Sequence, residues 1–408
     1  MFLRMASYLS AEGLAHTCLV DYADGFMATH RDASLCALME YSDNKLVSIP
    51  EDAIAVFQSM TSWSIFPKLQ IQDTTRVFFW NCHPFNLIPL LPGLRGLMQN
   101  NLTVGRLLLN TILLPYKLTM RRFVRTLVSH RGLVFMDHEN RRVTSTYLGL
   151  DNLPDDFLQI PVDTRLAVVK PAVRTRDLTV EGICITWLGR IVDFKYYILC
   201  RALERMNDAQ PVLGVLVEVT IIGTGDYIGL LQTFVLGLPN ITVIFLEYLD
   251  PAQVDCHMKT NVDLAIAMGT SALDAALLGI PTLLLDYSYK IVDPCYRFSW
   301  LHERDGFTLA DQISSNHMAL SDDSMLMRLQ ELLDRSELLS REAQVYVHKN
   351  HSLTAISLRL LDYVSLSDCS WHHLRTARVL GKGFLYTIFS HFRSISFGSL
   401  WNKVHVVD

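Results

Sequence analysis

The stretch VDLAIAMGTSALDAALLGIPTLLLD, from Val262 to Asp286, decides the fold. A short apolar run, Asp263 to Ala267, leads through a Gly turn into a helix-length segment ending near Leu278, and a second apolar run follows from Pro281 to Asp286. Runs of this length without polar alternation suit strands buried on both faces, so the stretch predicts a parallel strand–helix–strand unit. The same beat extends outward. Gly182–Trp187, Leu216–Ile222 and Ile241–Leu246 also read as buried strands. Between the first two, Ile198, Leu199, Ala202, Leu203 and Met206 share one helical face while Arg201, Glu204, Arg205 and Asp208 take the other, the pattern of a crossover helix. Helices from about Ser324 to Leu339 and from about Arg341 to Val364 close this half, which the alternation makes a doubly wound α/β domain over residues 165–365.

The first half is less regular. Thr17–Tyr22, Arg76–Trp80 and Gly132–Met136 read as strands and predict a second domain of the same class over residues 1–160, with a tail at 366–408. Pro154, Pro161 and Pro171 punctuate the join. The chain opens with a helix-like segment, Phe2 to Leu14, so the N-terminal domain is expected to lack its first strand or to begin differently.

Composition agrees with two cores. The 408 residues are 50% hydrophobic and 19% charged, which excludes a disordered chain and exceeds one ordinary domain. The eight cysteines are scattered, without C-x-x-C pairs or metal-like spacing, so reduced thiols in the cytosol are expected and no metal site is predicted. No apolar run approaches the ~20 residues of a bilayer span, and no signal peptide opens the chain. The net charge of −5 hides an uneven distribution, since between Thr74 and Met136 there is no Asp or Glu but there are eight Arg or Lys residues. The cationic segment Arg106–Arg131, with Leu107, Leu108, Ile112, Leu113, Leu118, Phe123 and Leu127 between its charges, reads either as an anionic-membrane surface or as a solvated helix face with its apolar side in the core. No nucleic-acid recognition motif accompanies it.

The strongest site signal is Gly269-Thr270-Ser271 with Asp274, where a strand, a Gly turn and a helix start present unpaired N–H groups to an anion. Ser271-x-x-Asp274 also fits a capping box, which would satisfy those amides internally. Arg190 and Lys195 follow the first strand of this half, at the carboxyl edge where ligands of open α/β sheets bind, and would add charge-assisted bonds of about 1.5–3 kcal/mol each. His83, in Trp80-Asn81-Cys82-His83-Pro84, holds the corresponding edge of the first half and is the candidate catalytic residue, against a structural role in the turn. Asp137, His138 and Glu139, and separately Asp24 and Gly25, are weaker candidates of the same kind. Arg297, Trp300 and His302 form an aromatic, cationic loop that either borders a pocket or simply packs.

Gly189-Arg190 with Lys195, Gly223-Thr224-Gly225-Asp226, Val262 to Ile266, and Leu273 to Ala276 with Gly279-Ile280-Pro281 resemble, in order and spacing, the landmarks of GT-B glycosyltransferases of bacterial polysaccharide and glycolipid synthesis. The resemblance covers about residues 182–364. It implies two Rossmann-like domains facing a cleft, with a nucleotide-sugar held by the second and a glycan or lipid-linked acceptor. The residues themselves add no D-x-D carboxylate pair or His/Cys cluster, so metal-independent chemistry without a cofactor is expected, with no nucleic-acid partner; the cysteine usage and the cationic segment suggest a cytoplasmic protein, peripheral at the inner face of the membrane. On the resemblance, Arg190 and Lys195 would neutralise the diphosphate, Asp274 would stand where a Glu usually binds the ribose, and Gly269, Thr270 and Ser271 would contribute amides. The family often carries a second Glu eight positions earlier, where this chain has Ile266. Two other readings follow: a sugar-nucleotide epimerase or polymer phosphotransferase of the same fold, and a degenerate sugar-nucleotide binder without activity.

Overall fold

The computed structural model describes residues 1–65, 68–91, 94–164, 177–313, 324–381 and 383. They form two compact units that are discontinuous in sequence. One comprises Met1–Tyr8 and Gln159–Ser357, the other Leu9–Leu158 and Leu358–Asp408. The expected division near residue 160 did not anticipate these two exchanges of chain ends, and the expected tail from 366 belongs in part to the second of these units. The part of the join at 165–176, with Pro171 and Arg174, lies outside the described residues.

The unit with residues 159–357 is built on a six-stranded sheet. In spatial order it runs Thr242–Leu246, Val217–Ile222, Ile183–Leu188, Leu264–Ala267, Thr282–Leu284 and Ser299–Trp300. The first five are mutually parallel and the sixth is antiparallel. Numbered along the chain, the order is 3-2-1-4-5-6, that of a dinucleotide-binding doubly wound sheet. Five of these strands were legible as apolar runs, and in four of them Ile185, Trp187, Val219, Ile221, Leu264, Ile266, Leu283 and Leu284 are all buried; the edge strand Thr242–Leu246, expected to be buried as well, leaves Thr242 and Ile244 exposed because it has a neighbour on one side only. The helix Asp193–Leu213 lays Ile198, Leu199, Ala202, Leu203 and Met206 into that core, as its periodicity required. It ends at Gly214, whose φ of 70° lets the chain reverse. The helices Ser324–Asn350 and Leu353–Leu366 replace the two expected after residue 324, with non-helical backbone at Arg335.

The other unit centres on a three-stranded parallel sheet in the order Ile54–Gln58, Arg76–Asn81, Leu133–Phe135. Arg76–Asn81 is its middle strand, and Val77, Phe78, Phe79 and Trp80 are almost wholly buried. Two small parallel pairs accompany it, Cys18–Asp21 with Ala37–Glu40 and Val47–Ser48 with Leu69–Gln70. The helix Leu114–Ser129 packs on the middle sheet through Phe123, Val124 and Leu127. Late residues complete this core: Val77 N–H donates to the Cys369 carbonyl at 2.8 Å, and Cys369, Leu374 and Val379 are buried. Among the described residues no helix is long and apolar enough to cross a membrane.

Candidate functional site

In the six-stranded sheet the chain winds one way from the strand Ile183–Leu188 and the other way from its neighbour Leu264–Ala267. Their carboxyl ends flank the topological switch point, the place where open α/β sheets bind ligands. Trp187 pairs in register with Ile266, so Gly189-Arg190 and Met268-Gly269-Thr270 leave the sheet side by side. The strand order thus brings together two of the predicted segments.

Lys195 lies in the first turn of the helix Asp193–Leu213. Its Nζ stands 5.6 Å from the Trp187 ring centroid and 5.9 Å from that of Phe194. A Cβ built on Gly189 would lie 3.4 Å from the same Nζ. Burial, and then the charge of Arg190, pull the Lys195 ammonium below its usual range. No carboxylate pairs with Lys195 or with the exposed Arg190 among the described residues. A cation at a helix N-terminus also opposes the helix dipole, by roughly 0.3–1 kcal/mol. Lys195 is therefore held at a local cost, in a place where a bound anion would relieve the strain on it.

The floor of this rim is locked by close backbone approach. Gly189 N–H donates to the Ile222 carbonyl at 3.0 Å, Ile191 N–H to Thr224 at 2.8 Å, and Gly223 N–H to Leu246 at 2.9 Å. Gly223 has φ of 141°, and a Cβ there would fall 2.2 Å from the Gly189 carbonyl oxygen. The Gly223-x-Gly225 landmark thus earns its glycines by contact between neighbouring loops.

Gly269, with φ of 69° and ψ of −141°, is the N-cap of the helix Thr270–Leu277 and anchors its own N–H on the Leu309 carbonyl at 2.9 Å. The capping-box alternative does not hold: Ser271 is already the second helical residue, and no side chain caps this helix. The N–H groups and hydroxyls of Thr270 and Ser271 have no hydrogen-bond partner among the described residues. Asp274 lies one turn further on, at an exposed position, yet neighbouring structure strips enough water from its carboxyl to raise its pKa, partly offset by Arg4. Arg4, on the helix Phe2–Ala11, was not legible as a site neighbour, because only tertiary folding brings residues 1–8 into this unit. Ile266 is fully buried within the sheet, so the position of the family's second carboxylate faces the core.

His83 belongs to the other unit, just past the strand Arg76–Asn81. Its Nδ1 accepts the Phe85 N–H at 3.2 Å, and its carbonyl accepts the Asn86 N–H at 3.2 Å. Loss of hydration and then Arg95 lower its pKa, although part of the residue faces solvent. With Nδ1 accepting, the proton sits on Nε2, and the free end of this neutral imidazole is a donor rather than a base. Nearby, Asp137 caps the helix His138–Leu148 by accepting the Asn140 N–H at 2.8 Å, and buried Glu139 takes Arg142 at 2.6 and 2.8 Å. Both carboxylates are committed to structure. At the strand Cys18–Asp21 it is Asp21, and not Asp24, whose carboxylate collects the Met27 and Ala28 N–H groups, at 2.9 and 3.3 Å. Trp300 is buried with its indole N–H on Glu331 at 2.6 Å, and His302 lies 3.2 Å from Glu342; their loop packs, while Arg297 stays exposed.

No family model matches the chain, and no curated protein matches it. Solved structures do. A glycosyltransferase from Rickettsia africae ESF-5 superposes with a TM-score of 0.51 over 89% of this chain and 93% of its own, at 10% identity. WaaG, a glycosyltransferase involved in lipopolysaccharide biosynthesis, gives 0.48 over 89% and 95%, at 13% identity. The chain has the α/β fold of GT-B glycosyltransferases.

Proposed function

We propose that this protein is a glycosyltransferase that moves a sugar from a nucleotide-sugar to a polysaccharide or lipid-linked acceptor. The observation that carries the reading is the unneutralised Lys195, held with Arg190 at the switch point of a 3-2-1-4-5-6 sheet, beside the unpaired amides of Thr270 and Ser271. That set suits a diphosphate. As the bond between the anomeric carbon and the diphosphate oxygen breaks, the electron pair passes to that oxygen, and cations and amides fixed in place stabilise it. The acceptor hydroxyl oxygen forms the new bond to the anomeric carbon, and its proton passes to the departing diphosphate or to water. Asp274 is assigned to the ribose hydroxyls, and His83, in the other unit, is kept as the candidate catalytic residue, able to donate a hydrogen bond through Nε2–H. The side chains assigned need no metal ion. The Rickettsia africae protein of the same fold, a glycosyltransferase, supports the choice of chemistry.

The acceptor's lipid anchor is assigned to the exposed part of the cationic stretch Arg106–Arg131, where Leu107, Ile112 and Leu118 are 61%, 58% and 51% exposed, a composition suited to the inner face of an anionic membrane, whereas Leu113, Phe123 and Leu127 of the same stretch are buried in the core. One observation favours the non-catalytic reading instead: Ile266 leaves no carboxylate where the family often has one.

A thermal-shift panel of nucleotide-sugars on the wild type and on Lys195→Ala tests the proposal. A donor at a hundredfold excess over its Kd should stabilise the wild type by about 2.7 kcal/mol and leave the variant unmoved. Incubating that donor with glycan acceptors should release nucleoside diphosphate. Stabilisation without release on any acceptor would favour the binder, epimerisation of the donor alone would favour the epimerase, and equal shifts in both proteins would remove the site.

A further inference from the structure

A second cluster of unneutralised charge lies in the unit containing residues 9–158, on the helix Leu114–Ser129. Arg121 and Arg125, one turn apart, line a cleft of about 350 Å³ with Ser129 on their side and residues 149–153 opposite. Arg122 joins them and Thr126 around an adjoining, more open hollow. Among the described residues none of the three guanidinium groups pairs with a carboxylate; Arg122 donates only to the Ala377 carbonyl at 3.4 Å, and the Arg121 Nε is buried without an acceptor. Their neighbours add to the charge. Lys117 Nζ and Arg121 Nη1 both lie 4.0 Å from where a Gly149 Cβ would stand, and Lys117 donates to Asn110 Oδ1 at 2.7 Å. Loss of hydration, then Arg121 and Arg106, lower the Lys117 pKa.

Two features offset this charge in part. The helix His138–Leu148 ends at Gly149, and its C-terminal dipole supplies about half a negative charge. Asp151 lines the cleft but is exposed. Neither balances Arg106, Lys117, Arg121, Arg122 and Arg125. Guanidinium forks match the oxygens of phosphate in pairs; the Ser129 hydroxyl donates to the Thr126 carbonyl at 2.9 Å and leaves the charge of the cleft to the arginines.

We propose that the Arg121–Arg125 cleft is a second anion site that takes the phosphate ester or pyrophosphate group of a small ligand. Its concave form, walled by residues 149–153, fits a discrete ligand better than a flat lipid surface. It deepens the assignment of the Arg106–Arg131 stretch to anions but does not depend on the Gly189–Gly269 rim.

The test uses the full chain carrying Arg190→Gln and Lys195→Gln, which silences the first rim, titrated with pyrophosphate by calorimetry at low ionic strength. Saturable binding is expected, weakened at least about tenfold when Arg121→Gln and Arg125→Gln are added. The unliganded melting temperature of that second protein should hold or rise, because like charges are removed; a fall would mark the arginines as structural and overturn the proposal. Pyrophosphate binding unchanged by the Gln pair would also overturn it. Sedimentation with phosphatidylcholine vesicles, with and without phosphatidylglycerol, separates the sources: capture by anionic vesicles without binding of pyrophosphate would transfer the site to lipid headgroups and overturn the small-ligand proposal. Loss of donor binding in Lys195→Ala alone leaves all these readouts intact.

Discussion

At Gly223 the α-carbon hydrogen faces the carbonyl of Gly189, and no side chain fits between the two loops. Gly223→Ala must therefore displace the Gly189-Arg190 turn. It should cost on the order of 2–4 kcal/mol in chemical unfolding and abolish any thermal shift by a nucleotide. His351 makes a different kind of prediction. It is fully buried, its Nδ1 lies 2.9 Å from the Ile160 carbonyl, and burial pulls its pKa down to about 4. The unfolded value is about 6.5, so the folded protein binds fewer protons in this range. Stability from this group is complete above about pH 6.5 and falls as pH drops toward 4, by roughly 3 kcal/mol. Urea melts of wild type and His351→Gln should show the slope between those pH values reduced in the variant. Residues differ in how legible they were. Gly269, Arg190 and Lys195 announce themselves because a turn and a strand end are local events. Arg4 and Asp21 do not, because their partners are set by tertiary placement and by a loop conformation that no periodicity records.

Among elements, the strands read most easily were those buried on both faces, such as Ile183–Leu188, where continuous apolar character has no competing explanation. The two-residue strand Ser299–Trp300 is too short to carry a pattern and exists because its neighbourhood holds it. That neighbourhood is a polar network past the strand Thr282–Leu284. Buried Asp286 accepts Arg304 at 2.6 Å, the Tyr296 hydroxyl at 3.1 Å and the Asp311 N–H at 2.8 Å. Burial alone would lower the Arg304 pKa, but Asp286, Tyr296 and Asp311 raise it on balance. Breaking one partner of such a pair strands the other, so Asp286→Ala should destabilise by about 3–5 kcal/mol. Hydrogen exchange should then quicken across residues 286–311, while exchange in Ile54–Gln58 stays unchanged. Protection retained over 286–311 would mean that the apolar packing of Phe298 and Trp300 suffices.

For the whole molecule, the decisive fact is that neither unit is one piece of chain. A fragment of residues 9–158 lacks Cys369, Leu374 and Val379, and it leaves Val77 N–H without its acceptor. Expressed alone, it should lose the near-ultraviolet circular dichroism of its buried aromatic residues, and a fragment of 358–381 supplied in trans should restore part of it. A cooperative, fully protected 9–158 fragment would contradict that account. This organisation was hidden from sequence because the exchanged ends, Phe2–Ala11 and Trp371–Thr376, are ordinary short helices whose destinations depend on surfaces made elsewhere.

The late closure of that core also bears on biogenesis. As the polypeptide leaves the ribosome, the stretch made first must wait, with Phe78, Phe79 and Phe123 lacking their final cover, until some two hundred further residues have been translated. Such a nascent chain exposes sticky surface for many seconds at ~5–20 residues per second, which makes it a natural client for chaperones and gives slower translation no advantage.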